Sequence, residues 1–339
     1  MNSYERVMMA MAREQPDRVP LVEFVIDPKV YRVLLPEARN QTDFEVHFDF
    51  DAVCCGVVFD KVREDADGTF YDEWGVSYQP TAERVAHPVT GPIQTMEDFA
   101  HYTPPDPNSP HRLGRLPELV KRHKHEKAVV FHQRAAFMWS AYVMNIQEIL
   151  MNFLIDPELV HQVLDMVLDV NIRIARNAVD AGADIITLGD DYADNRGPMF
   201  SPGIFEEFIC PRLKKMVDAV HEAGGKVCKH SDGNLWRIID SMVETGFDAL
   251  NPIEPLAGMD IGEVKARYGD RLCLIGNIDC GHLLPLGTRQ EVEKVVKECI
   301  EKAAAGGGLI ISSSNSIHSS VNPENYLAMI KAVKKWGKY

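Results

Sequence analysis

Four stretches in the second half of this chain end a helix in the same way. AGAD (181–184), AGGK (223–226), TGFD (245–248) and AGGG (305–308) each place glycine just ahead of a short apolar run. Glycine accepts the left-handed backbone that closes a helix, and a short apolar run after it reads as a strand buried on both faces. The pattern predicts strands over 19–26, 52–58, 128–133, 185–189, 227–230, 249–251, 272–277 and 309–313. Between the later ones it predicts helices over 157–181, 202–223, 235–245, 260–268 and 288–305. Strand–helix alternation gives right-handed crossovers and a parallel sheet, and eight such units close into a barrel. No GxGxxG follows any of these strands, which argues against an open doubly wound sheet. The expected fold is α/β, a (β/α)8 TIM barrel forming a single domain over 1–339.

The rhythm breaks over 59–127, between the second and third strands. GTFYDEWGVSYQP (68–80) reads as a β-hairpin and TPPDPNSP (103–110) as a proline-rich loop. The segment is too long for a crossover and is expected as an excursion over the barrel mouth. Its aromatics, Phe70, Tyr71, Trp74 and Tyr78, face a ligand or pack the hairpin onto the barrel. The net charge of −14 disfavours nucleic acid and anionic membrane as partners. No apolar run approaches the ~18 residues of a membrane span, and the first twenty residues read as a short amphipathic helix rather than a signal peptide. Seven cysteines without regular spacing or CxxC point to a reducing compartment, hence a cytoplasmic protein.

In a barrel the chemistry gathers at the carboxyl ends of the strands. Those ends carry Glu23 and Asp27, His132 and Arg134, Asp190 to Tyr192, His230 and Asp232, Asn251 and Glu254, Asn277 to Cys280, and Ser312 to His318. His230 and Asp232 stand two apart, so on a strand they project to one side and can share a divalent metal, with Cys280 as a third ligand. A neutral histidine hydrogen-bonded to a structural aspartate describes the same pair equally well. Asp190 and Asp191 are adjacent and face opposite ways on extended chain; one faces the cavity as acid or base while the other holds a turn or a backbone amide. Arg134 clamps a carboxylate or pairs with a rim acid. Tyr192, Asn251 and Asn315 are candidates for binding substrate, and His318 for a general acid. GxSxG, Walker-type and HExxH motifs are absent, as is DxHxxG, which supplies histidine to cobalt in corrinoid-binding domains.

Several segments together resemble the uroporphyrinogen decarboxylase superfamily: REQPDRVP (13–20), GDDYADNRGPMFSP (189–202), KHSDGN (229–234), FDALNPIEP (247–255), GNIDCGHLLPLGT (276–288) and VNPENY (321–326). The resemblance spans nearly the whole chain and implies a (β/α)8 barrel with its cleft at the strand carboxyl ends. True decarboxylases carry an arginine-rich motif near the amino terminus; this chain has LVEFVID (21–27) there, with no arginine for a porphyrinogen's many carboxylates. The other branch comprises cobamide-dependent methyltransferases, many of which bind zinc through HxC and a distant cysteine. His230 matches that histidine, Asp232 replaces the first cysteine and Asn315 falls where the second would be.

An oxygen-rich set departs from thiol-activating chemistry and fits the relatives in anaerobes that demethylate ethers or amines. The resemblance thus implies an O-demethylase component, zinc-dependent, that passes a methyl group to Co(I) of a separate corrinoid protein. The expected acceptor is that corrinoid-binding protein, since the barrel uses the length of the chain; the donor is a small methylated compound, and homodimer formation is left open. The alternatives are a metal-independent decarboxylase of a smaller acid, held by Arg134, and a non-catalytic tetrapyrrole or corrinoid-binding protein.

Overall fold

The computed structural model describes residues 1–81 and 87–339. Seven parallel strands form its central sheet: β1 (Ala52–Gly56), β2 (Ala128–Gln133), β3 (Ile185–Gly189), β4 (Lys226–His230), β5 (Ala249–Asn251), β6 (Cys273–Ile278) and β7 (Leu309–Ser313). Each pairs with its neighbour in chain order. The eighth predicted strand, 19–26, forms no continuous ladder, yet it sits where an eighth strand belongs. Val22 N donates to Ile311 O and Ile311 N to Pro20 O on the β7 side, while Asp51 N donates to Leu21 O on the β1 side. Further along, Ile26 bridges Ile317 in parallel. Pro20 has no N–H to give, and the Leu21 N–H is taken by the buried Asp51 carboxylate at 2.8 Å, so regular pairing is interrupted. The same carboxylate accepts from Arg6 and Arg18, pairing a buried charge with two guanidiniums at the seam.

Alternation along the strands divides the interior in two. Ala52, Cys54, Ala128, Val130, Ile185, Cys228, Ala249, Cys273, Ile275 and Ile310 face inward as one cluster, joined by Val22. Alanine and cysteine mixed with Val130, Ile185, Ile275 and Ile310 fill the narrow inside of a barrel. The helix Ser3–Met11 adds Val7, Ala10 and Met11 to the same cluster and so closes its amino-terminal end. Its start is fixed by Asn2 and Glu5, which satisfy each other's backbone amides in a capping box. With that end plugged, the polar residues gather at the other.

The alternate strand residues, among them Val129, Phe131, Ile186, Leu188, Val227 and Leu250, point outward into a larger cluster beneath the helices. The helix Pro157–Asp180 shows why such a helix forms: Asp156 caps it, Pro157 opens it, and Leu159, Val163, Val167, Val170, Ile174 and Ala178 bury one face at three- and four-residue spacing. Each fully buried aliphatic side chain there contributes roughly 1.5–3 kcal/mol. The helix expected over 202–223 widens into a π turn at Phe205–Ile209 before Cys210–Glu222, where Pro211 has no N–H for the α-helical ladder.

The excursion after β1 is a four-stranded antiparallel sheet, Lys61–Glu64, Phe70–Asp72, Ser77–Gln79 and His87–Thr90. Trp74 is fully buried and stacks on Trp139, ring centroids 5.2 Å apart, so it packs the sheet against the helix Phe137–Met144 that follows β2. Trp74, Val76 and Ile93 belong to the same apolar cluster as the helical layer.

Candidate functional site

β3, β4 and β5 run in register, with Gly189 beside His230 and His230 beside Asn251. Their carboxyl ends therefore deliver side chains to one spot. His230 Nδ1 lies 2.6 Å from Asn251 Oδ1, and the Asn251 amide is held the right way round because its Nδ2 donates to Ile275 O at 3.0 Å. An amide oxygen only accepts, so Nδ1 carries a proton, and Nε2 is the nitrogen left to serve as a metal ligand. Nε2 faces two carboxylates: Asp232 Oδ1 at 3.5 Å and Asp191 Oδ1 at 3.6 Å. Asp191 Oδ1 also accepts from the Asp232 amide at 3.1 Å, tying the β3 loop to the β4 loop.

Asp232 is braced from across the barrel by Asn315, whose Nδ2 donates to Oδ2. Its Oδ1 is closed off from solvent and has no hydrogen-bond partner among the described residues. Burial raises this carboxyl to about 6, opposed by His230 and reinforced by the negative charges of Asp191 and Glu254. Glu254 holds the turn beneath, accepting from Gly233 N at 2.8 Å.

These three residues fit a divalent cation. Bonds of about 2.0–2.2 Å to a tetrahedral zinc imply ligand–ligand edges of roughly 3.3–3.6 Å, and the two histidine–carboxylate separations match. The unpartnered Asp232 Oδ1 is the kind of atom such an ion satisfies, and the Asn251 amide on the far nitrogen of His230 is the usual device for aiming a metal-binding imidazole.

Other predicted site residues are placed differently. Cys280 lies outside the group of metal-capable atoms, which consists of Asp191, His230 and Asp232. Asp279 accepts from the amides of Gly281, His282 and Leu283, and Cys280 turns inward beside Ser314, where burial pushes its thiol up to about 12. Asp191 takes the place expected for it. Of the adjacent aspartates, Asp190 is fully buried and receives the amides of Ala135, Ala136 and Phe137 at 2.7–3.2 Å, so it anchors the loop after β2 rather than reaching a substrate. Tyr192, expected at the substrate, is also fully buried, packed with Phe137, Phe200 and Phe205 under the rim. His318 Nε2 faces Cys280 O at 2.9 Å and its Nδ1 accepts from Ser320 N at 3.3 Å, leaving neither nitrogen free for a substrate. Asn251 and Asn315 reach the site as supports for His230 and Asp232. Arg134 donates to Gly189 O at 2.6 Å and lies against Tyr142, and it pairs with no carboxylate among the described residues.

One buried group near the site escaped sequence reasoning. Lys229 points outward from β4, its ammonium donating to the carbonyls of Asp190 and His230 and lying 4.1 Å from the Tyr192 ring centroid. Burial lowers it to about 8. A lysine inside a strand next to His230 was the available signal. Glu23, on the seam segment, accepts from Ser312 and Ser313, and burial raises it to about 8. A second acid–histidine group, Asp60, Glu73 and His111, lies in the antiparallel excursion, where Glu73 is already paired with Arg112.

A family profile described as Uroporphyrinogen decarboxylase (URO-D) matches residues 73–336. The chain belongs to that family. Within it, this chain is 31% identical to the uroporphyrinogen decarboxylase of Hydrogenovibrio crunogenus over 188 residues, 52% of this chain and 48% of that one. It is 29% identical to the methylcobamide:CoM methyltransferase MtaA of Methanosarcina barkeri over 175 residues, again 52% and 48% of the two chains. The chain spans about half the length of these curated relatives. Among solved structures, a methyltransferase from Methanosarcina mazei superposes with a TM-score of 0.78 over 99% of both chains at 19% identity, which establishes the barrel fold. The family thus contains relatives named for decarboxylation and for cobamide-dependent methyl transfer.

Proposed function

We propose that this chain is the demethylating component of a corrinoid-dependent methyl transfer, taking a methyl group from an aromatic methyl ether and delivering it to Co(I) of a separate protein. The observation that carries the reading is the His230–Asp191–Asp232 group, with Nε2 aimed by Asn251 at two carboxylates. The chain itself carries no DxHxxG, and the reading therefore assigns the corrinoid to a partner.

His230, Asp191 and Asp232 would hold zinc, which would supply Lewis acidity at the ether oxygen. The chain's part is to orient. Asn251 fixes the imidazole, Asn315 fixes Asp232, and Asp190 with Lys229 holds the loop that presents Asp191. In such a transfer the methyl carbon would leave oxygen with the bond pair staying on oxygen, and the acceptor would supply the electrons of the new bond. A phenol's ordinary acidity near 10 makes its oxygen a leaving group that requires no dedicated acid, consistent with the backbone commitments of His318 and Asp190.

Zinc content and methyl transfer to a reduced corrinoid protein, measured on the wild type and His230→Ala, test this together. Loss of both supports it; unchanged zinc in the variant removes the metal assignment. A second reading, decarboxylation of a small acid, is favoured by one feature: the Arg134 guanidinium without a carboxylate partner. Arg134→Met abolishing activity toward a carboxylated substrate, with metal dispensable, would select it. Turnover of either kind excludes a non-catalytic tetrapyrrole or corrinoid-binding role.

A further inference from the structure

Beside His230, and inward of it, the barrel holds a cavity of about 150 Å3 whose wall includes Phe24, Val25, His132, Thr187, His230 and Asn251. Its size is that of a buried cavity that accepts benzene. A tetrapyrrole is several times larger than this. Among the described residues no lysine or arginine lines it, so a carboxylate or phosphate placed there would be desolvated without a counter-charge. Phe24 and Val25 provide an apolar side, with the Phe24 ring edge-on to the His132 ring at 5.1 Å.

Next to Phe24 the wall is polar and incompletely satisfied. His132 and Thr187 are register partners on β2 and β3, and both belong to the inward-facing set by alternation with Phe131 and Ile186. His132 Nε2 and Thr187 Oγ1 are both closed off from solvent; His132 Nε2 has no hydrogen-bond partner among the described residues, and Thr187 Oγ1 has none there beyond the Cys228 thiol. Unpaired buried polar atoms destabilise a protein, and native folds leave few of them without a reason. Here two lie side by side, in the wall of a ring-sized cavity, next to the candidate metal ligands.

We propose that this cavity is the donor subsite, and that it takes one uncharged aromatic ring bearing a hydroxyl group, hydrogen-bonded by His132 and Thr187. The inference rests on the methyl-transfer reading for the orientation of the methoxy group toward His230, and it adds the class of ring. It excludes carboxylated arenes and multi-ring substrates from this position. His132 and Thr187 are specificity-determining residues in this account and take no part in breaking the carbon–oxygen bond.

Direct binding tests it without metal turnover or corrinoid. Phenol, 2-methoxyphenol, toluene and benzoate are titrated into the purified full chain by calorimetry, alongside Thr187→Val and His132→Phe, with thermal unfolding of each variant measured in parallel. Thr187→Val removes the hydroxyl at nearly constant volume, so it reports even where His132→Phe is poorly folded. The expected order is phenol and 2-methoxyphenol well ahead of toluene, with no detectable heat from benzoate. A lost hydrogen bond of this kind weakens phenol binding about tenfold in Thr187→Val. Equal binding of benzoate, absent binding of phenol, or unchanged phenol affinity in a folded Thr187→Val overturns the proposal. The two readings fail separately. Phenol binding without methyl transfer keeps the subsite and removes the function; transfer from an aromatic methyl ether with phenol affinity unchanged in a folded Thr187→Val does the reverse.

Discussion

Glu45 sits on the helix Gln41–His47 with no exposed surface. Its Oε1 accepts from Gln41 Nε2 at 2.7 Å, and the same Gln41 donates to Phe24 O at 3.1 Å on the segment that seams the barrel. Its Oε2 has no partner among the described residues. Burial outweighs the hydrogen bonds from Gln41 and Cys54 and the charges of Arg115 and Lys127, and pushes the carboxyl from 4.5 up to about 8. Between those values the folded chain keeps a proton that the unfolded chain has released. Stability from this group is therefore full below about pH 4.5 and is lost as pH rises through 8. The slope is about 1.4 kcal/mol per pH unit, so the loss between pH 5 and 8 is roughly 4 kcal/mol. Glu45→Gln keeps the shape and the acceptor for Gln41 but cannot ionise. Urea unfolding at pH 5, 6, 7 and 8 should find the variant level with the wild type near pH 5 and more stable by roughly 4 kcal/mol at pH 8. Glu23, also raised to about 8, is present in both proteins, and its own slope cancels in the difference. A wild-type-to-variant difference that stays constant across this range would show Glu45 to be ionised in the fold and refute the reasoning.

Asn251→Leu removes the acceptor that orients His230 and should weaken zinc affinity by about 10–100-fold in a chelator competition; an unchanged affinity would show that the 2.6 Å contact does not aim the imidazole. Asp191→Ala should lower zinc stoichiometry while Cys280→Ser leaves it intact, and the opposite pattern would restore the thiol as ligand. Asp190→Asn replaces part of an acceptor for three backbone amides with a donor and should cost about 2–3 kcal/mol in chemical denaturation without altering zinc content.

The barrel was legible because its signals are local. Glycine punctuation and buried apolar runs located β1 to β7 within a few residues, and period-2 spacing put His230 and Asp232 on one side. The eighth strand was legible only in position: its pairing is interrupted by Pro20 and by the Asp51 carboxylate, which lies 30 residues away from Leu21 in sequence. The choice between Asp190 and Asp191 depends on three amides contributed by the loop after β2, some 55 residues earlier, and no local pattern reports them. Cys280 was misplaced because the turn made by Asp279 decides which way it faces. Tyr192 looked exposed by its polar neighbours, but the aromatic cluster that buries it comes from a different helix and loop. Side-chain identity was readable; direction at the strand ends was set by distant partners.

The central claim is methyl transfer to a corrinoid held by another protein. The direct measurement is single-turnover loss of Co(I) absorbance when the zinc-loaded chain, a 2-methoxyphenol donor and a reduced corrinoid protein are mixed, with the demethylated phenol quantified in the same sample. The account predicts one phenol released per Co(I) consumed, no reaction when any one component is omitted, and no reaction with His230→Ala. Multiple turnover by the purified chain without any corrinoid, or full activity in His230→Ala, would contradict it.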